Sequence, residues 1–197
     1  MSVLDSVSQN RAERRKQQTH EAILDATRVL LWEVGYPHMS IRMIAEHADV
    51  GYGTFYLHFA DKDDAVWEVL EVWMRVLMTD VETHVLSLPF MQREYVSWVR
   101  TFEQLDTTRE SFLAIFGKQG SRKLLEKYQD FMVQTHLMYM RKGVYQSGLD
   151  LPTEFLAQFI TGAMIRLMTW WAEGNTGYTA HDMARLLFEA VYRRPVP

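Results

Sequence analysis

The chain has 197 residues, 48% of them hydrophobic, and a net charge of −4 at pH 7, which is typical of a globular protein with one or two domains. The absence of cysteine excludes disulfides, thiol-based redox sensing and zinc–thiolate sites. No apolar run of about eighteen residues and no signal-peptide pattern occurs, so we expect a cytoplasmic protein without membrane contact.

The first predicted helix covers about residues 11 to 34. Ile23, Ala26 and Leu30 recur in it at helical spacing. Gly35, followed by Tyr-Pro, supplies a C-cap and a stop. This helix is expected to pack beneath the elements that follow it.

The amino terminus carries the local positive charge of the chain. Residues 1 to 10 lack helical periodicity, and we expect them to be mobile. The segment from Met1 to Lys62 has seven Lys and Arg against eight Asp and Glu, so it is not basic as a whole. A basic cluster near the start of the first helix suits either an arm along a DNA backbone or a solvated terminus. Its members are Arg11, Arg14, Arg15 and Lys16.

Two short helices joined by a tight turn are predicted between Ser40 and Lys62. Ser40 can cap the first of them, and residues 49 to 51 interrupt its apolar stripe. In the second, Phe55 and Phe59 lie four residues apart while polar and aromatic groups face outward. This is a helix-turn-helix pattern, whose second helix enters a DNA major groove. The predicted core of this three-helix head is Ile23, Ala26, Leu30, Ile41, Ile44, Val50, Phe55 and Phe59.

The rest of the chain is predicted to form six more helices. The fourth starts after Asp61, its predicted cap, and ends near residues 88 to 89. Thr107 with Glu110, and Thr179 with Asp182, are predicted capping boxes for the sixth and ninth helices. No strand pattern appears, so the predicted fold is all-α, with about nine helices.

The segment SIRMIAEHADVGYGTFYLHFADKD resembles the DNA-binding segment of the tetracycline-repressor (TetR) family of transcriptional regulators. The resemblance covers roughly the first third of the chain and implies two domains. Residues 1–60 would be the helix-turn-helix DNA-binding domain, and residues 61–197 the helical ligand-sensing and dimerisation domain. The matching positions are Ile23, Ala26, Leu30, Gly35, Tyr36, Ile44, Ala45, Gly53, Thr54, Phe55, Tyr56, His58, Phe59 and Lys62.

The sequence departs from the family pattern at three positions of the turn and second short helix. Asp49 stands where members usually have Gly, and Asp tolerates the positive φ that this turn needs. Gly51 replaces a Ser or Thr cap. Tyr52 stands where many members have Lys, Arg or Gln, and it can hydrogen-bond a base edge or phosphate or pack on a thymine methyl.

Family positions imply several contacts with double-stranded operator DNA. Arg42 matches a guanine-reading position, and Thr54 and Tyr56 match positions that touch phosphate or bases. His58 and Lys62 match positions that contact the DNA backbone. The alternative is that Arg42 is simply exposed, and that Tyr56 and His58 brace the turn. The predicted DNA-binding residues are Ser40, Arg42, Gly51, Tyr52, Gly53, Thr54, Tyr56, His58 and Lys62.

The larger domain is rich in aromatic and methionine side chains, which line apolar pockets as well as cores. The resemblance places an effector pocket among helices four to eight. The predicted ligand-binding residues are Trp98, Phe102, Phe116, Met132, His136 and Tyr139. Apolar stripes on helices eight and nine predict a four-helix dimer interface. Its predicted residues are Phe159, Ala163, Trp170, Met183, Leu187 and Val191.

These patterns predict a homodimeric repressor that leaves its operator when an apolar or aromatic small molecule binds. We expect no enzyme activity, cofactor or metal, since no catalytic or metal-ligating constellation is visible. The alternative is a helical small-molecule-binding protein or enzyme that has lost DNA binding. Gly51, Tyr52 and the weak basic charge favour that alternative.

Overall fold

The computed structural model describes residues 3–85, 87–143, 151–174, 176–193 and 195–197, with the backbone alone for 3–10, 77 and 80–85. This part of the chain contains nine helices and no strand, as the sequence predicts. The helices are α1 (Val3–Glu33), α2 (Ile41–His47), α3 (Tyr52–Phe55), α4 (Lys62–Val85), α5 (Phe90–Thr107), α6 (Arg109–Phe116), α7 (Arg122–Arg141), α8 (Thr153–Glu173) and α9 (Ala180–Tyr192).

The chain forms two compact units, Met1–Met74 and Arg75–Pro197. The first half of α4 therefore belongs to the first unit, with Ala65 and Val66 fully buried. The predicted division between residues 60 and 61 concerns the functions of the two parts, and it stays a prediction.

The first unit has the three-helix core that the sequence predicts. Among the predicted core residues, Ile41 and Val50 are half-buried. The other six are buried, namely Ile23, Ala26, Leu30, Ile44, Phe55 and Phe59. Burying such side chains stabilises a fold by about 1.5–3 kcal/mol each for the larger ones.

Helix α1 begins at Val3, eight residues earlier than predicted from apolar periodicity. No Gly or Pro interrupts the sequence between Val3 and Glu33, so nothing in this segment opposes helix formation. The predicted start of this helix near Arg11 was therefore wrong, and Met1 and Ser2 lie outside the described residues.

The two helix caps and the turn conformation predicted around the two short helices are present in the structure. Ser40 Oγ accepts a hydrogen bond from the backbone N–H of Met43 at 3.3 Å and so caps α2. Asp49 adopts a φ of 53°, the left-handed conformation that the turn requires. Asp61 Oδ1 accepts from the N–H of Asp64 at 3.0 Å, which caps α4.

In the second unit α9 packs on α5, and α7 packs on α8 with α6 beside both. The predicted capping box of α9 is confirmed, because Thr179 and Asp182 exchange both hydrogen bonds. The predicted box of α6 was wrong. Thr108 occupies the N-cap position without a side-chain bond, and the Thr107 hydroxyl donates back to the Gln104 carbonyl at 2.8 Å.

Gly120 closes the turn after α6. A Cβ at this position would lie 2.1 Å from the carbonyl oxygen of Ile115, so only glycine fits there. Helix α7 ends at Arg141, followed by Gly143 in the left-handed region with a φ of 68°. The sequence offers two glycines as the end of this helix, Gly143 and Gly148, and Gly148 lies outside the described residues.

Candidate nucleic-acid interface

Helix α3 and the turn after it expose an uncharged surface. Phe55 points into the core, whereas Tyr52, Tyr56 and Leu57 are 55%, 47% and 78% exposed. Gly53 lies between them, and nothing stands within 4 Å of the position its Cβ would take. The position of Gly53 between these side chains is therefore open to solvent and to a partner.

Tyr52 and Tyr56 form a pair on this surface. Their hydroxyl oxygens are 3.1 Å apart, and their rings meet edge to face with centroids 5.3 Å apart. The hydrogen bond with Tyr52 raises the pKa of Tyr56, so this hydroxyl keeps its proton at neutral pH. Tyr56 also packs edge to face on Phe55, with centroids 5.6 Å apart, which ties the pair to the core.

Three further predicted contacts have distinct surroundings. Gly51 is the N-cap of α3 and makes no side-chain capping bond, so its contribution there is backbone alone. Thr54 is half-buried beside it. Arg42 is exposed on α2, where its Nε donates to Glu46 Oε1 at 2.8 Å and this carboxylate raises the arginine pKa.

His58 belongs to a histidine cluster that sequence reasoning missed. Its ring lies 5.7 Å from that of His20 on α1. The rings of His20 and Phe59 stack with their centroids 4.8 Å apart. The Nε2 atom of His20 lies 2.7 Å from Glu68 Oε1. Burial, followed by the charges of His20 and Lys16, lowers the pKa of His58. Local periodicity carries no signal for this cluster, because His20 and Glu68 are 48 residues apart.

The ammonium group of Lys62 makes hydrogen bonds within its own chain. Its Nζ donates to the carbonyl oxygens of Tyr36 at 3.0 Å and Met39 at 3.2 Å, and it lies 4.1 Å from the centre of the Tyr36 ring. Burial lowers the lysine pKa. Lys62 thus fastens the loop between α1 and α2 to the start of α4, and its contact with a DNA backbone stays a prediction.

The basic cluster lies on α1 and not on an extended arm. Arg11, Arg14, Arg15 and Lys16 are all exposed on this helix. Lys16 is close enough to His58 to affect its pKa. Part of the available positive charge therefore lies beside the segment that follows α3.

The second unit gathers the predicted effector residues into its aromatic core. Four of them are buried, and Tyr139 is half-buried. His136 Nδ1 is 2.8 Å from Thr161 Oγ1 across the α7–α8 contact, which gives this histidine a polar partner among apolar side chains. Burial lowers the pKa of His136 to about 4, so the pair is neutral at pH 7. The four buried residues are Trp98, Phe102, Phe116 and Met132.

The predicted dimerisation residues on α8 are more exposed than those on α9. On α8, Phe159 and Trp170 are 51% and 40% exposed, and Ala163 is half-buried. On α9, all three are buried within their own chain because this stripe packs on α5, where Phe188 meets Tyr95 with ring centroids 5.8 Å apart. The three α9 residues are Met183, Leu187 and Val191.

The described residues contain neither a candidate metal site nor a candidate membrane span. Among them, no three His, Asp or Glu side chains come together as a metal site would require. None of the described helices is both long and apolar enough to cross a membrane.

Two family profiles of known proteins match this chain, one in each of its two units. The family profile "Bacterial regulatory proteins, tetR family" matches residues 23–67, and the profile "Transcriptional regulator C-terminal region" matches residues 97–193. An uncharacterized HTH-type transcriptional regulator of Lactococcus lactis is 29% identical over 85 residues, which are 41% of this chain and 43% of that protein.

Two solved structures share the fold. Thermus thermophilus FadR, a TetR-family repressor in complex with lauroyl-CoA, has a TM-score of 0.65 and 18% identity over 90% of this chain and 97% of its own. RolR in complex with resorcinol has a TM-score of 0.60 and 16% identity over 93% and 97%. The regulator profiles on both units, together with the helix-turn-helix geometry, show that the chain belongs to the TetR family of DNA-binding transcriptional regulators, which are not enzymes.

Proposed function

We propose that the protein is a cytoplasmic, homodimeric repressor that leaves its operator when an apolar or aromatic small molecule binds in the second unit. The observation that carries the proposal is the exposed surface of α3, held on a buried Phe55–Phe59 core beside the basic residues of α1. A surface of this kind fits a major groove, with the phosphates within reach of basic side chains.

Selection of bound duplexes from a random pool tests the DNA-binding part of this proposal. We expect a two-fold symmetric site whose half-sites lie about 34–36 Å apart, because paired recognition helices enter successive major grooves. Affinity for the selected duplex should fall steeply with salt. Failure to enrich any sequence, with salt-insensitive behaviour on bulk DNA, would favour the alternative of a helical small-molecule binder that has lost DNA binding.

The α8 surface supports the homodimer. Phe155, Phe159 and Trp170 are exposed at helical spacing along one side of α8, and Leu186 is exposed on α9. Exposed aromatic side chains that share one face of a helix are typical of protein interfaces. We therefore propose that the subunit contact lies on this side of α8 and the outer side of α9, and not on the α9 stripe, which is buried within its own chain.

The aromatic core and the neutral His136–Thr161 pair support the effector part of the proposal. Apolar walls with a few hydrogen-bonding groups are typical of small-molecule sites. Because FadR holds lauroyl-CoA and RolR holds resorcinol, these two compounds are the first probes. The uncharged polar pair favours a neutral ligand such as a phenol.

Thermodynamic coupling tests the release mechanism. A ligand that weakens operator binding tenfold must be bound about 1.4 kcal/mol more weakly by the DNA-bound protein. Titration of resorcinol, followed by tryptophan fluorescence with and without the selected duplex, measures this difference. A resorcinol affinity that operator DNA leaves unchanged would contradict induction by this compound.

A further inference from the structure

We propose that the hydroxyls of Tyr52 and Tyr56 act as one unit that reads an adenine in the major groove of the operator. The inference rests on the proposed function, since it requires α3 to enter the groove, and it names the base that is read there. The observation behind it is the distance of 3.1 Å between the two hydroxyl oxygens.

The hydrogen bond between the two hydroxyls determines what the pair offers to a partner. One hydroxyl donates and the other accepts, and the structure allows either direction. The accepting tyrosine still has its own O–H to donate, and the donating tyrosine still has oxygen lone pairs. Toward DNA the pair therefore presents one donor and one acceptor side by side, as the carboxamide of Asn or Gln does.

Among the four bases, adenine matches this pattern. Its major-groove edge has an acceptor at N7 and a donor at the 6-amino group. Guanine presents two acceptors, so a pair with a single outward donor satisfies only one of them. Cytosine offers a donor alone, and thymine an acceptor beside its methyl group. Adenine is the base whose edge engages both free functions of the tyrosine pair.

The surroundings keep the pair in place and leave it without competing charge. The rings of Tyr52 and Tyr56 meet edge to face, and Tyr56 rests on the fully buried Phe55, so little side-chain freedom is lost on binding. Between Gly51 and Leu57 the sequence has no charged residue. Helix α3 thus offers no Arg or Lys for the bidentate contact that selects guanine.

Phenylalanine variants test the pair, because they remove the hydroxyls and keep the rings. Duplexes recovered by selection with the native protein should contain a fixed adenine in each half-site. Replacing that adenine by 7-deazaadenine, which lacks N7 but keeps the 6-amino group, removes one of the two hydrogen bonds. It should weaken binding measurably, and by no more than the roughly 5- to 150-fold that a good bidentate base contact is worth. The double variant Tyr52→Phe/Tyr56→Phe should be insensitive to this replacement and should accept other bases at the same position.

Tyr178→Phe is the matched control, since Tyr178 is similarly exposed but lies in the second unit. This control should keep the native sensitivity to 7-deazaadenine. The inference is overturned if the selected sites lack a fixed adenine, or if the double variant loses affinity equally for all sequences, as removal of phosphate contacts would cause. If the native protein enriches no sequence at all, the proposed DNA-binding function fails first, and this inference fails with it.

Discussion

At the scale of single residues, Lys62 and Lys16 have opposite surroundings. Lys62 donates to two backbone carbonyls, whereas Lys16 is exposed on α1. We expect Lys62→Met to lower the free energy of unfolding by about 1–3 kcal/mol, because hydrogen bonds from a charged group are lost. If these carbonyls alone hold the ammonium group, the slope of operator affinity against salt should stay unchanged, whereas the predicted contact of Lys62 with a phosphate would make its removal shallow the slope by about 0.9. Thermal unfolding and affinity measured across salt concentrations check both expectations.

Lys16→Met is the comparison for that experiment. Removal of one phosphate contact reduces the slope of log affinity against log salt by about 0.9, and an exposed helix position costs little stability. We expect this result for Lys16 if α1 lies along the DNA backbone. A reduced slope with unchanged stability in Lys62→Met would instead show that Lys62 is the residue on the phosphate.

Glu94 is a buried carboxyl at the contact between α5 and α9, where it accepts a hydrogen bond from the Tyr192 hydroxyl at 3.1 Å. Burial raises its pKa from 4.5 to about 7. Between these two values the folded protein holds a proton that the unfolded chain has released. The free energy of unfolding should therefore fall as pH rises through this window, by at most about 3 kcal/mol in total.

Glu94→Gln tests this pH dependence, because glutamine stays neutral and can still accept from Tyr192. We expect the variant to lose the decline between pH 4.5 and 7, and to be more stable than the native protein above pH 7. Urea unfolding at several pH values measures the effect. Glu126→Gln, which alters an exposed ion pair with Arg122, should leave the pH profile unchanged. Parallel profiles for native protein and Glu94→Gln would contradict the assignment.

At the scale of elements, two similar capping-box patterns in the sequence differ in the structure, because the box forms on α9 and does not form on α6. Thr179 and Asp182 form a reciprocal capping box on α9, whereas the Thr107 hydroxyl binds the last turn of α5. We expect Thr179→Ala to cost about 1 kcal/mol of unfolding free energy. Thr107→Ala should change it by less than about 0.5 kcal/mol. Equal losses in thermal unfolding of the two variants would show that the α9 cap is not the cause.

At the scale of the whole molecule, the exposed side of α8 and the buried side of α9 predict different results for the same chemical change. Phe159→Asp puts a charge on an exposed aromatic surface, so we expect folded monomers with weakened operator binding. Leu187→Asp puts a charge into the core of one chain and should prevent folding. Sedimentation together with circular dichroism distinguishes the two outcomes, and an intact Phe159→Asp dimer would count against the α8 interface.

The sequence alone determined several features that depend on neighbours within one or two helical turns, although the capping box predicted for α6 did not form. The Ser40 and Asp61 caps, the positive φ at Asp49 and the apolar spacing of Phe55 and Phe59 are such features, and the structure confirms each of them. Interactions between residues i and i+4, or between a cap and its own helix, are complete within a short segment. Their chemistry can therefore be read without knowing where the segment packs.

Only the tertiary structure decided which partner each side chain meets across the fold. His20 contacts Glu68 over 48 residues, and Tyr192 contacts Glu94 over 98. In the same way, α9 buries its apolar stripe on α5 of its own chain, although the stripe suited a subunit contact equally well. The hydrophobic effect rewards burial without specifying a partner, so periodicity identifies the face that is buried but not the surface that covers it.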